Sequence, residues 1–129
     1  MRQGEFVYDS GALIAIDKRG ADVLQRHERR VGRGNRIIVP APAAAQAIRQ
    51  PRRQARLMLT LRGCRIVAFD EESAGPVGTL LADAGQTDVV DAFVVMTAAK
   101  SEAAIVTTDA GDMRHMLDIL GVDLPVLAP

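Results

Sequence analysis

Short apolar runs rich in β-branched residues alternate with helical patterns along this chain, and that alternation limits its fold more than any other feature. Strands are predicted near 5–9, 35–39, 64–69, 103–107 and 124–127, and helices at 10–16, 20–31, 42–49, 52–62, 71–83, 88–100 and 110–120. Gly32-Arg33-Gly34, Pro51, Gly63, Gly85 and Gly121 punctuate the pattern. Helical crossovers put such strands parallel in one sheet with helices on both faces. The expected fold is therefore α/β, with a central, mostly parallel sheet of about five strands in a single domain over residues 1–129. Gly75-Pro76, inside the helix at 71–83, is expected to delay that helix's start or kink it.

Three aspartates sit where an apolar run gives way to a small polar segment. Asp9 follows Phe6-Val7-Tyr8, Asp109 follows Ile105-Val106-Thr107-Thr108, and Asp91 precedes the run Ala92 to Met96. In an open parallel sheet the ligand crevice lies outside the carboxyl ends of the strands, so side chains distant in sequence meet there. Two carboxylates about 4 Å apart repel by roughly 4 kcal/mol at an effective dielectric of about 20. Several of them gathered together imply a cation, and all-oxygen ligation points to Mg²⁺ or Mn²⁺ rather than zinc.

Asp88 and Asp91, three apart, share a face near the start of a helix. Capping accounts for Asp88 or Thr87, and a favourable first-turn acid is the plain reading of Asp91. Capping does not require Asp91, however, and the apolar run after it turns it toward the domain. Asp109 reads equally as a cap for the helix at 110–120, and Asp112 as a solvated or supporting acid. His27 and His115 fall in charged helical stretches and are expected at the surface. Val23, Leu24 and Val31, like Leu57, Met58 and Leu61, form stripes expected in the core. Cys64, the single cysteine, reads as a small buried hydrophobe.

The net charge of zero hides an asymmetry. Residues 1–65 hold 14 Lys and Arg against 5 Asp and Glu, and residues 66–129 hold 2 against 11, so the halves carry +9 and −9. A basic surface beside an acidic site suits a phosphate polymer, because binding follows the local field. Arg49, Arg52, Arg53 and Arg56 are the expected RNA contacts, their forks matching phosphate oxygens. Solvated helix faces are the plain alternative for each of them. With aromatics at 3%, a base-stacking platform is not expected. No apolar run approaches the ~20 residues of a membrane helix. The opening Met1-Arg2-Gln3-Gly4 leads almost at once into a strand, which leaves no room for a secretory leader. A cytoplasmic protein is expected.

Hydrophobic-Asp9-Ser10-Gly11-Ala12-Leu13, Thr87-Asp88-Val89-Val90-Asp91-Ala92 and Val106-Thr107-Thr108-Asp109 together resemble the PIN domain, specifically the VapC-type ribonuclease toxins of toxin-antitoxin pairs. The likeness spans essentially the whole chain. It implies a PIN-like three-layer fold and a Mg²⁺- or Mn²⁺-dependent endoribonuclease acting on RNA, neutralised by a cognate antitoxin and commonly a homodimer. The family's acidic cluster falls here on Asp9, Asp91 and Asp109 as catalytic metal ligands, with Asp88 or Asp112 adjacent. Many PIN domains carry a glutamate on the helix after the second strand, where this chain has Gln46. An amide ligates through its carbonyl oxygen or orders a metal-bound water, but brings no charge; an ordinary surface residue is the plain reading.

Two other classes share some of these features. A phosphoacceptor receiver-like domain has the length and the sheet, but its paired acids after the first strand and its lysine after the fifth have no counterpart in Tyr8-Asp9-Ser10 or Leu127-Ala128-Pro129. A degenerate PIN module that holds RNA or a partner without cutting is the other, and Gln46 is what recommends it.

Overall fold

The computed structural model describes residues 4–18 and 20–129. Met1 to Gln3, part of the opening expected to exclude a leader, lie outside the described residues. The elements are β1 (Glu5–Tyr8), α1 (Ser10–Lys18), α2 (Ala21–Gly32), β2 (Arg36–Pro40), α3 (Ala41–Ala47), a 3₁₀ turn (Pro51–Arg53), α4 (Ala55–Arg62), β3 (Arg65–Val67), α5 (Glu71–Ala84), α6 (Val89–Ser101), β4 (Ala104–Val106), α7 (Ala110–Leu120) and β5 (Val126–Leu127). The five strands form one sheet in the order β3-β2-β1-β4-β5, and every pairing is parallel. The expected α/β fold is the one observed.

Strands buried on both faces read as near-continuous apolar runs, as Phe6-Val7-Tyr8 and Ile37-Ile38-Val39 do. Alternate residues feed two cores. Val7, Ile38 and Ile105 pack with Val77, Leu80, Phe93 and Met113 on the face of α5, α6 and α7. Tyr8, Ile37, Val39 and Val106 pack with Leu13, Ile16 and Leu57 on the other. Helix α6 buries Ala92, Phe93, Val94, Val95, Thr97 and Ala98, leaving no wide polar face, because it lies between the sheet and its neighbours α5 and α7. Its start is held by Asp88, whose Oδ1 accepts from Asp91 N at 3.0 Å, a cap worth about 1 kcal/mol.

Several expectations change. The helix expected at 52–62 is a 3₁₀ turn and then α4, separated at Gln54. Helix α5 neither starts late nor breaks at Gly75-Pro76: it begins at Asp70, whose Oδ1 accepts from Ser73 N at 3.0 Å, and runs through Pro76 to Ala84. Pro76 is exposed, and its missing N–H costs the helix one internal hydrogen bond. His27 is buried, at 7% exposure, rather than at the surface. Its Nδ1 lies 2.8 Å from Tyr8 Oη. Arg30 Nη1 donates to the same oxygen at 3.1 Å, so the hydroxyl links the buried ring to the guanidinium. Val31, expected in the core, is 47% exposed. His115 is exposed, as expected, and Cys64 is half-buried, its thiol pushed up to about 11 by burial. No helix among the described residues is long and apolar enough to cross a membrane.

Candidate metal centre

The sheet order reverses direction at β1: the chain moves from β1 outward to β2 and β3, then returns to place β4 on the other side. That reversal opens a crevice at the carboxyl ends of β1 and β4. Tyr8 pairs with Val106 in register, so the next residues, Asp9 and Thr107, leave the sheet side by side. Asp9 N donates to Val106 O at 3.3 Å, extending the ladder one step.

Asp9 is 4% exposed. Its Oδ1 accepts from Ala12 N at 2.8 Å in the first turn of α1, and its Oδ2 accepts from Thr107 Oγ1. Burial raises its pKa, the Thr107 and Ala12 bonds oppose that rise, and Asp109 adds to it. Thr107 Oγ1 also accepts from Asp109 N at 2.8 Å. One hydroxyl therefore ties the buried carboxylate to the loop that carries the third aspartate. Gly11 sits where these segments close up: a Cβ there would collide with Thr108 Oγ1.

Above Asp9, the carboxylates of Asp91, Asp109 and Asp112 each offer an oxygen within 4.8 Å of the others. Among the described residues no other group of three or more histidines, cysteines or acids comes together in this way. Asp91, half-buried at the start of the apolar helix α6, has its pKa pushed up to about 6 by burial and by the charges of Asp88, Asp9, Asp109 and Asp112. Asp109 is raised by desolvation and by Asp112. It stands at the N-cap position of α7, where its carboxylate interacts with both the backbone and the side chain of Asp112. Asp112, in the first turn of α7, joins Asp91 and Asp109, while Asp9 lies deeper, its two oxygens each accepting one bond, from Thr107 and Ala12, and each keeping a lone pair for an ion. Asp88 caps α6 and adds charge to Asp91.

The donor set fits a hard divalent ion. Three carboxylate oxygens gathered within one ion's span, without nitrogen or sulfur, match the ligation of Mg²⁺ or Mn²⁺. The raised acid of Asp91 shows the field that such an ion relieves.

Gln46 is exposed on α3. The arginine segment is organised by Gln54, buried at 7% exposure, a residue to which the sequence alone assigns no role. Its Oε1 accepts from Arg49 N at 2.8 Å and Gln50 N at 3.0 Å, and its Nε2 donates to Asp17 Oδ2 at 3.0 Å and Ala47 O at 2.9 Å. Arg49 Nη1 donates to Ala45 O at 3.1 Å and Ile48 O at 2.9 Å, closing the end of α3. Arg52 and Arg53 stand exposed on the 3₁₀ turn, and Arg56 is exposed at the start of α4. Asp17 comes 8 positions after Asp9, about 12 Å along α1. Gln54 thus anchors the arginine segment at the end of α1 away from Asp9.

Three solved structures are similar in fold. A chain in the crystal structure of VapBC2 from Rickettsia felis, bound to a DNA fragment from their promoter, superposes with a TM-score of 0.69 at 15% identity, covering 97% of this chain and 98% of that one. A chain of FitAB, bound to an IR36 DNA fragment, gives 0.67 at 16% identity, covering 96% and 94%. PAE2754 from Pyrobaculum aerophilum gives 0.59 at 16% identity, covering 90% and 86%. No protein-family model and no curated protein matches the sequence. The chain has the PIN-like fold.

Proposed function

We propose that this chain is a Mg²⁺- or Mn²⁺-dependent endoribonuclease, the toxin of a toxin-antitoxin pair, acting as one domain in the cytoplasm. The observation that carries this reading is the meeting of Asp91, Asp109 and Asp112 at the switch point of a parallel sheet, over the buried Asp9. When bound, the ion lowers the pKa of a water and stabilises charge on a phosphodiester. Asp9, Asp91 and Asp109 hold it, with Asp112 beside them. Asp9 supports the centre from below, keeping the first turn of α1 and the loop after β4 in register through Ala12 and Thr107. Arg49, Arg52, Arg53 and Arg56 hold RNA at the far end of α1 by its phosphates.

An antitoxin partner is supported by the likeness to chains of VapBC2 and FitAB. The exposed Ile14, Val31 and Leu59 on α1, α2 and α4 offer an apolar surface to it. A homodimer belongs to the same reading, tested by sedimentation. Gln46 favours a second reading, a module that binds RNA or its partner without cutting.

One experiment separates the two readings. Purified protein is incubated with total RNA in Mg²⁺, in Mn²⁺ and in EDTA, beside the Asp91→Asn variant. Cleavage that needs the metal and Asp91 supports the nuclease. RNA left intact under every condition by protein that still binds it supports the non-cleaving module.

A further inference from the structure

The amino edge of the sheet is the electrostatic reverse of the acidic edge. Two adjacent parallel strands are entered through the same four-residue pattern, Arg33-Gly34-Asn35-Arg36 before β2 and Arg62-Gly63-Cys64-Arg65 before β3, and all four arginines are exposed. Arg33 and Arg62 close α2 and α4, where cations answer the negative end of a helix dipole. Arg36 and Arg65 lie past those turns, on the strands, and the dipole gives no reason for them. Arg65 pairs with Ile38, and Arg36 is one pleat before Ile38. Arg36 and Arg65 therefore project from the same face of the sheet, with Cα atoms about 8 Å apart from the strand spacing and rise.

Arg65 forms a wall common to two cavities. One of about 430 Å³ is lined by Asn35, Arg36, Ile37 and Gly63 as well. The other, of about 700 Å³, reaches Lys100 and Ser101 at the end of α6. The nearby acids are Glu5, beside Arg36 on β1, and Glu102 after α6. Asp70 and Glu72, which follow the carboxyl end of β3, also line the larger cavity, and Lys100 lies close enough to Asp70 to help lower its pKa.

We propose that this corner is a second contact surface for the phosphate backbone of single-stranded RNA, on the opposite edge of the sheet from the acidic crevice. Its two strand-borne guanidinium groups are spaced to grip phosphates through their forks, and the chain offers too few aromatic residues to hold bases instead. The identity of the polyanion as RNA rests on the nuclease reading; the location rests on the arginines alone. A strand of four or five residues is about 15 Å long, so an RNA held here and cut at the acids runs the length of the sheet.

The test measures binding of labelled poly(U) RNA to metal-free protein over a salt series, for wild type, Arg36→Gln/Arg65→Gln and Arg36→Lys/Arg65→Lys. Each phosphate that a variant no longer neutralises takes about 0.7 off the log-log salt slope of a single strand. The glutamine pair is expected to flatten the slope by about 1.4 and weaken binding roughly tenfold at low salt, and the lysine pair to keep most of the slope. An unchanged slope in the glutamine pair, with wild type binding RNA, overturns this surface and leaves the nuclease reading standing. Wild type that binds no RNA at any salt overturns both. Tighter binding of duplex DNA or of polyglutamate than of poly(U), abolished in the glutamine pair, overturns the choice of RNA.

Discussion

Thr107 Oγ1 donates to Asp9 Oδ2 across the gap between β4 and β1, and the same oxygen accepts from Asp109 N at 2.8 Å. These two side chains come from residues 98 positions apart. They meet because Tyr8 and Val106 pair in parallel and each strand delivers its next residue to the same edge. The hydroxyl is a hinge pin between the deepest acid and the loop that presents Asp109 and leads into α7.

Thr107→Val keeps the shape and removes the hydroxyl. Asp9, at 4% exposure, then loses a hydrogen bond to a charged oxygen, and Asp109 N loses its acceptor. A loss of about 2 kcal/mol in stability is expected, read from urea unfolding, with metal-dependent cleavage falling as well. Thr107→Ser should restore both. A valine variant as stable and as active as wild type would leave the hydroxyl without a role.

Asp91→Asn separates the centre's chemistry from its stability. The native state holds the Asp91 proton up to about pH 6, against 3.8 for the ordinary carboxyl. A raised acid favours the native state as pH falls through that window, and its cost is fully present above about pH 6. Without metal, the variant should melt higher than wild type at neutral pH, with the gain shrinking toward pH 4, while cleavage is lost. A variant that is destabilised and still cuts RNA would make Asp91 structural.

Strand ends and helix starts were legible because their signals are local: apolar runs, Gly and Pro punctuation, and an aspartate shortly after β1, β3 and β4. Asp88 as a cap was legible for the same reason. What the sequence hid depends on contacts across the sheet. Thr107 looks like one more strand residue until β4 lies beside β1. His27 sits in a charged stretch, Gln25-Arg26-His27-Glu28, and only the approach of Tyr8 and Arg30 makes it internal. Gln54 lies unremarked inside the stretch expected as a helix at 52–62, and its four hydrogen bonds reach α1 and the end of α3. The place of Asp112 beside Asp91 and Asp109 likewise needed the docking of α7 against α6. The arginine segment was visible as charge, but its distance from the acids was not.

Glu102 ends α6 in the left-handed region, at φ 51° and ψ 42°. A side chain with a Cβ costs about 1 kcal/mol there, and glycine is the usual residue at such a helix end. Glu102→Gly should therefore raise stability by about 0.5 kcal/mol after the larger unfolded-state entropy of glycine is counted. Differential scanning calorimetry would read this as a rise of a few degrees. A fall in melting temperature would show that the glutamate side chain holds something the backbone argument omits.

His27 supplies a pH dependence opposite in sign to that of Asp91. Its pKa is lowered from 6.5 by burial and by the Arg30 charge, with Glu28 opposing them. Burial and the Arg30 guanidinium both disfavour a charged ring, whose Nδ1 lies 2.8 Å from Tyr8 Oη. As pH falls through 6.5, the unfolded chain takes up a proton that the native state refuses, so stability is lost from there downward. The measurement is stability against pH in the Asp91→Asn background, where the opposing contribution of that acid is gone. Adding His27→Gln, whose amide donates to or accepts from the Tyr8 hydroxyl, should flatten the profile just below pH 6.5. Glu28→Gln should leave the onset near pH 6.5 and extend the loss to lower pH, because that charge favours the protonated ring. A profile that keeps its full slope after His27→Gln would assign the acid sensitivity to the carboxylates instead.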